Sequence, residues 1–345
     1  KKTFVKSNYL FLAAALLLLA CDANPPSSTE NDSPEQVEST EPSRLPMIFD
    51  TDANNELDDQ HAMAYLLMNQ QTFDVKGITV NATYNGGDID KHYQEAERVL
   101  VLCNEKGKIP LIKGANADFA SIRDQIKEED YDGKAAVDFI IEQAKAATPE
   151  KPLIMMAVGK LTNMALAALH SPDIIPNVRL VWLGSNYPEP GEYNQDNDTV
   201  AMNHLLDTSI PFEMVTVRYG KPSGTDAVKV TKEEALKNMP GKGPQASEAI
   251  TGRHGGSFQN FGDYSVSLFE YIDYYGDPPS RALFDMAAVA IVKDPSWAEV
   301  RSIPAPILRD NKWVERPQNT RQIMLWENFD RDRIMADFYQ SLEAN

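Results

Sequence analysis

The run Ile48-Phe49-Asp50-Thr51-Asp52-Ala53-Asn54-Asn55-Glu56-Leu57-Asp58-Asp59 constrains this chain more than any other, because an apolar start dissolves at once into acid. The pattern predicts the end of a buried strand, a polar loop at its carboxyl end, and a helix from His61 through Leu67. Open α/β sheets bind ligands outside the carboxyl ends of their strands, so Asp50, Asp52, Asp58 and Asp59 stand where chemistry is done. A single Asp at a helix start needs no other role than capping or answering the helix dipole. Four so close together repel one another, and a divalent cation with oxygen ligands, calcium or magnesium, is the simplest neutraliser. The loop is not an EF-hand. Asp50, Asp52 and Asn54 give the D-x-D-x-N start, but Asn55 falls where that loop needs Gly and His61 where it needs Glu.

Downstream, strand and helix signals alternate as in a parallel sheet. Val75–Val80 reads as a second strand, ending in the polar loop Asn81-Ala82-Thr83-Tyr84-Asn85-Gly86-Gly87. An amphipathic helix follows from Asp88 to Glu105, then a short strand at Pro110–Gly114 and a helix at Val137–Ala146. Pro152–Val158 is a buried strand turning through Gly159–Asn163 into a helix from Met164 to His170, and Val178–Leu183 is the next strand, ending in Gly184-Ser185-Asn186. The chain is mostly helical from about Thr231, with Gly-rich and aromatic loops around Gly252–Tyr275 and strands returning between Val300 and Leu325. Trp182 sits mid-strand as a core residue, and His61, His92, His170 and His204 fall within helices without assigned chemistry. The fold class is therefore α/β: a single large domain, residues 45–345, with a mostly parallel central sheet flanked by helices, an open Rossmann-like sheet. Its strand ends would gather Asp52, Asn81 or Asn85, Val158, Asn186 and Glu192-Tyr193-Asn194 on one rim.

The first residues carry Lys1, Lys2 and Lys6 before the short apolar core Tyr9–Ala20, a secretory signal pattern for residues 1–20. Its end, Leu18-Leu19-Ala20-Cys21, resembles a bacterial lipobox, which implies lipidation at Cys21 and an extracytoplasmic protein anchored to a bacterial membrane. Residues 21–44, rich in Ser, Pro, Glu and Asn, have too little apolar surface to bury and read as a disordered acidic tether. Cys103 then has no disulfide partner and reads as a buried helix residue. The net charge of −18 and a sequence pI near 4.7 exclude a phosphate-backbone polymer as ligand.

Four separated motifs together resemble the inosine–uridine-type nucleoside hydrolase family from Pro46 to the last helix. They are Asp50-Thr51-Asp52 with Asp58-Asp59, then Val158-Gly159-Lys160-Leu161-Thr162-Asn163, then Gly191-Glu192-Tyr193-Asn194 with Asp198, and last Asp285-Met286-Ala287-Ala288-Val289-Ala290. The resemblance implies a nucleoside hydrolase-like fold and calcium-dependent hydrolysis of an N-glycosidic bond, with a purine or pyrimidine nucleoside or a related riboside as substrate. It implies Asp52 as a Ca²⁺ ligand and as the base that takes a proton from water. Asp59, the Val158 carbonyl and Asp285 would be the further ligands, with Asp50 a support behind them. It further gives Asp58, Asn186, Glu192 and Asn194 to the ribose hydroxyls, together with one of Asn81 and Asn85, between which the spacing does not choose. By analogy it implies a homo-oligomer.

The chemistry agrees with that list. An oxocarbenium-like sugar wants anionic or oxygen-rich surroundings, water must be made nucleophilic, and the ring must be held in place. The departure is Phe284, where many relatives place the His that protonates the leaving base. Tyr84, Tyr187, Tyr264 and His254 are the polar aromatics in loops expected near the rim that could serve instead. Two other functions compete. A haloacid-dehalogenase-type phosphohydrolase also opens strand-D-x-D but would want Thr or Val where Asn54 stands. A binding lipoprotein for ribose or nucleosides would keep the metal cage without turnover, and an enzymatic variant of that idea is a hydrolase of another extracytoplasmic glycoside.

Overall fold

The computed structural model describes residues 43–345; the expected signal peptide, Cys21 and nearly all of the expected tether lie outside them. The first half of the chain lays down β1 (Leu45–Thr51), α1 (Asp58–Leu67), β2 (Phe73–Val80), α2 (Ile89–Leu102), β3 (Leu111–Lys113), α3 (Phe119–Ile122), α4 (Lys134–Lys145), β4 (Leu153–Ala157) and α5 (Thr162–His170). Next come β5 (Val178–Leu183), α6 (Tyr193–Asn197), α7 (Thr199–Asp207), β6 (Phe212–Val215), β7 (Lys229–Thr231), α8 (Lys232–Asn238), β8 (Ile250–Thr251) and β9 (Ser257–Phe258). The last part holds α9 (Phe261–Glu270), β10 (Ser280–Ala282), α10 (Phe284–Lys293), β11 (Glu299–Pro304), β12 (Ile307–Arg309), β13 (Lys312–Val314), β14 (Gln322–Glu327) and α11 (Arg331–Ala344).

Eight strands form the main sheet in the order β11-β14-β6-β5-β4-β1-β2-β3. Every neighbour pair is parallel except β11 with β14. The chain leaves β1 outward through β2 and β3, then returns to the other side of β1 at β4. That reversal opens a crevice at the carboxyl ends of β1 and β4, where this class of sheet places its ligands.

Side chains of a strand alternate between faces, and β1 uses both: Met47 and Phe49 enter one apolar cluster and Ile48 the other. The first cluster packs α1, α2, α9, α10 and α11 on one face, the second α3, α4, α5 and α7 on the opposite face. A strand covered on both sides can be apolar throughout, which is why β4 is buried along its whole length. Trp182 is fully buried on β5 and donates its Nε1–H to the Gly159 carbonyl at 3.0 Å, tying β5 to the turn after β4.

Most expected elements appear within a few residues of their predicted ends. The first helix begins at Asp58 rather than His61, so the acidic pair forms its first turn, where the exposed N–H groups favour negative charge. Cys103 is buried one residue beyond α2. The small ribbons β7/β10 and β8/β9 were not expected, nor was β6, a four-residue strand, whereas β11 to β14 fall where strands were expected to return.

Candidate active site

Behind the rim, Asp50 is fully buried and its Oδ1 accepts from Thr79 Oγ1 at 2.8 Å and Asn163 Nδ2 at 2.9 Å, joining β1, β2 and the turn after β4. Its Oδ2 has no partner among the described residues, and burial raises the carboxyl to about 7. Two residues on, Asp52 faces the crevice and its Oδ2 accepts from Thr83 Oγ1 at 2.5 Å. Only glycine fits opposite: a Cβ on Gly159 would lie 2.8 Å from Asp52 Oδ1 and 2.9 Å from both amide atoms of Asn81.

At the crevice floor the first turns of α1 and α10 meet. Asp58, Asp59 and Asp285 each offer an oxygen there, all within 4.8 Å of one another and all buried. Thr51 Oγ1 donates to Asp59. Burial, reinforced by the neighbouring carboxylates, holds Asp59 and Asp285 well above the usual carboxylate range and raises Asp58 to about 7. Asp52 is raised too, chiefly by burial. Carboxylates crowded in a low-dielectric site are stable as anions only beside a cation, so the donor set fits a hard divalent ion. Asp58 thus stands among the three closest carboxylates, while Asp52 lines the same cavity beside them.

The remaining expected residues are spread over distinct tasks. Val158 lines the cavity, and its carbonyl accepts from Asn194 Nδ2 at 2.7 Å, which leaves that oxygen a second lone pair. Asn194 also reaches the Leu183 carbonyl at 3.1 Å, bridging the ends of β4 and β5. Glu192 lines the cavity too, but its carboxylate already accepts the N–H groups of Ser185, Asn194 and Gln195 at 2.8 to 3.1 Å, capping α6. Burial still raises it to about 7. Asn186 lies off the cavity lining, its Oδ1 accepting from Tyr219 N at 3.1 Å. Asn81 is fully buried with neither amide atom hydrogen-bonded among the described residues, whereas Asn85 is exposed and away from the cavity.

Above the carboxylates the cavity encloses about 640 Å³. Its upper wall is aromatic, formed by Tyr193, Tyr219, Tyr275 and Phe284, with Tyr219 edge-on to Phe284 at 5.8 Å between ring centres. Two ion pairs edge it: Glu56 with Arg281, and Asp226 with Lys229 at 2.9 Å. None of the four aromatics expected at the rim lines it. Tyr84 is 73% exposed, Tyr187 donates to Glu315, Tyr264 donates to Glu95 Oε1 at 2.5 Å, and His254 stacks on Tyr271 at 4.5 Å.

The family model for inosine-uridine preferring nucleoside hydrolase matches residues 47–336. The chain belongs to that family. Within the nucleoside hydrolase family, it is 30% identical over 191 residues to the non-specific ribonucleoside hydrolase RihC of Salmonella paratyphi A, a match that takes in 49% of this chain and 60% of the relative. The matched stretch therefore spans less than two thirds of that relative's length. In fold it is similar to the plant nucleoside hydrolase PpNRh1, with a TM-score of 0.69 at 17% identity over 88% of this chain and 100% of the other. It is also similar to a purine-preferring ribonucleoside hydrolase from Gardnerella vaginalis, with a TM-score of 0.64 at 17% identity over 86% of this chain and 98% of the other.

Apart from Phe284, sequence reasoning missed the upper wall of this nucleoside hydrolase fold. Tyr219 follows β6, whose four residues leave no periodic signal, and Arg281 lies on β10, a three-residue strand paired with β7 far earlier in the chain. Tyr193 was visible only as a neighbour of Glu192 and Asn194.

Proposed function

We propose that this chain hydrolyses the N-glycosidic bond of ribonucleosides with the aid of one calcium ion, releasing ribose and a nucleobase. The observation that carries the reading is the buried trio Asp58, Asp59 and Asp285 beneath an aromatic-walled cavity that Asp52 also lines. Asp52, Asp59, Asp285 and the Val158 carbonyl would hold the ion, with Asp58 beside them toward the ribose. When bound, the ion supplies Lewis-acid help that makes water a better nucleophile at neutral pH.

This chain's own residues do the rest. Asp52 takes a proton from the attacking water, whose oxygen adds to C1′ as the bond to the base breaks. The surrounding carboxylates favour the positive charge that develops on the sugar. Asn194 and the loop capped by Glu192 hold the ribose at that spot, and Phe284, Tyr219, Tyr193 and Tyr275 bury the flat base. The pattern at Leu18–Cys21 supports a lipid anchor that would set the enzyme on the outer side of a bacterial membrane, where extracellular nucleosides reach it.

The test is ribose release from purine and pyrimidine nucleosides, with calcium and with chelator. Release that calcium restores after chelation supports the reading. Tight nucleoside binding without any release would replace it with the non-catalytic binding protein, the role that Phe284 in place of an acid favours.

A further inference from the structure

We propose that Tyr219 is the proton donor to the departing base in this chain. The inference rests on the nucleoside hydrolase reading above and goes beyond it by assigning the acid that Phe284 cannot supply.

As the C1′–N bond breaks, its electron pair passes to the base, and an ordinary nucleobase leaves slowly unless a donor meets that charge. The donor must line the upper cavity and hold a proton that no protein group already uses. Tyr219 meets both conditions. Its ring lies edge-on to Phe284 at 5.8 Å, one residue from Asp285, so it sits at the place where the sugar site gives way to the aromatic wall. Its hydroxyl accepts the Tyr193 N–H at 3.4 Å and donates to none of the described residues.

The turn that presents Tyr219 is built at a cost. Arg218 holds a φ of 50°, a left-handed conformation that a long side chain adopts only where its surroundings force it. Here they do. Its guanidinium reaches the Tyr187 carbonyl at 2.9 Å, Ser223 Oγ at 3.1 Å and the Glu327 carboxylate at 2.7 Å. On either side of the ring, Tyr219 N donates to Asn186 Oδ1 at 3.1 Å and Gly220 N to Asp226 Oδ2 at 3.0 Å. Asn186 and Arg218 are thereby positioning residues for Tyr219. Like any phenol, Tyr219 carries its proton at neutral pH; although the residue is 44% exposed, partial desolvation and the nearby Glu192 carboxylate hold that proton more tightly still.

In the step, the Tyr219 Oη–H proton passes to the base nitrogen that receives the C1′–N electron pair. Water adds to C1′ and gives its proton to Asp52. The tyrosinate then regains a proton from solvent and Asp52 releases one, which leaves ribose and a neutral base.

The experiment compares the full calcium-loaded chain with its Tyr219→Phe variant on inosine and on 4-nitrophenyl β-D-ribofuranoside, whose nitrophenolate leaves without being protonated. We expect kcat on inosine to fall by about 100-fold or more in the variant, and the loss on the nitrophenyl riboside to shrink to a few-fold, with calcium binding retained. An equal loss on both substrates would show that Tyr219 holds the sugar and overturn the proposal. So would a variant as active as the unmodified chain on inosine, with the function itself left standing. An unmodified chain that cleaves neither substrate would remove the hydrolase reading and this proposal together.

Discussion

Asp59 carries the sharpest consequence of any single side chain. Converting it to Ala should abolish calcium binding and lower the rate by about 1,000-fold or more, since both the ion's help and a fixed charge are lost. The overall fold should remain, with an unchanged far-UV circular dichroism spectrum, because relief of repulsion among Asp58, Asp59 and Asp285 offsets the lost contact with Thr51. Full activity in that variant would remove the metal account. Glu192 has a different profile. Its carboxylate satisfies three backbone N–H groups at the start of α6, so Glu192→Ala should cost about 1–2 kcal/mol in denaturant unfolding as a lost cap. It should also raise KM more than it alters calcium affinity; loss of the metal instead would assign Glu192 to the ion. How much of this the chain itself disclosed differs by residue. Asp50, Asp52, Asp58 and Asp59 were legible because they crowd the end of one strand, and Asp285 through its motif. The capping bonds of Glu192 were not, because they depend on how the loop after β5 folds back onto the strand end.

Among the elements, α1 and α10 matter most, since their first turns bring Asp58, Asp59 and Asp285 together. Two helix N-termini favour the carboxylates, but burial and mutual repulsion dominate and raise their affinity for protons. A carboxyl whose folded value exceeds its unfolded one lends stability that is complete at low pH and lost as pH rises through the folded value. With Asp50, Asp58 and Glu192 each raised to about 7, the calcium-free protein should lose stability between about pH 4 and pH 7. His61 opposes this at the acid end. Burial lowers it to about 4, so its stabilising contribution is complete above 6.5 and fades as pH falls toward 4. Chemical denaturation across pH 5–8 with chelator, repeated with calcium, checks the prediction: the chelated slope should flatten when calcium is present. Long strands and helices were readable from their buried runs. Strand β6 and the β7/β10 ribbon were not, because a few residues carry no period and their pairing is settled by distant partners. Tyr219 and Arg281, which those strands deliver, went unseen with them.

At the scale of the whole molecule, the order of the strands decides where everything meets. The chain reverses between β1 and β4, so the Asp50–Asp59 loop and the Val158 turn open side by side, and α10 closes the floor from the far end of the sequence. That alternation made the parallel sheet legible in advance, and four motifs in order gave the family. One edge of the sheet, where β11 runs antiparallel to β14, was only partly anticipated. On the function proposed above, one calcium ion at Asp52, Asp59 and Asp285 makes this fold a working nucleoside hydrolase. The most direct test is to strip the protein with chelator, titrate calcium back, and follow bound calcium and ribose release from inosine in the same samples. The account predicts activity that is absent at the start and rises with occupancy to a plateau at one ion per chain. Undiminished ribose release from the stripped protein, or full calcium occupancy without release from any nucleoside, would contradict it.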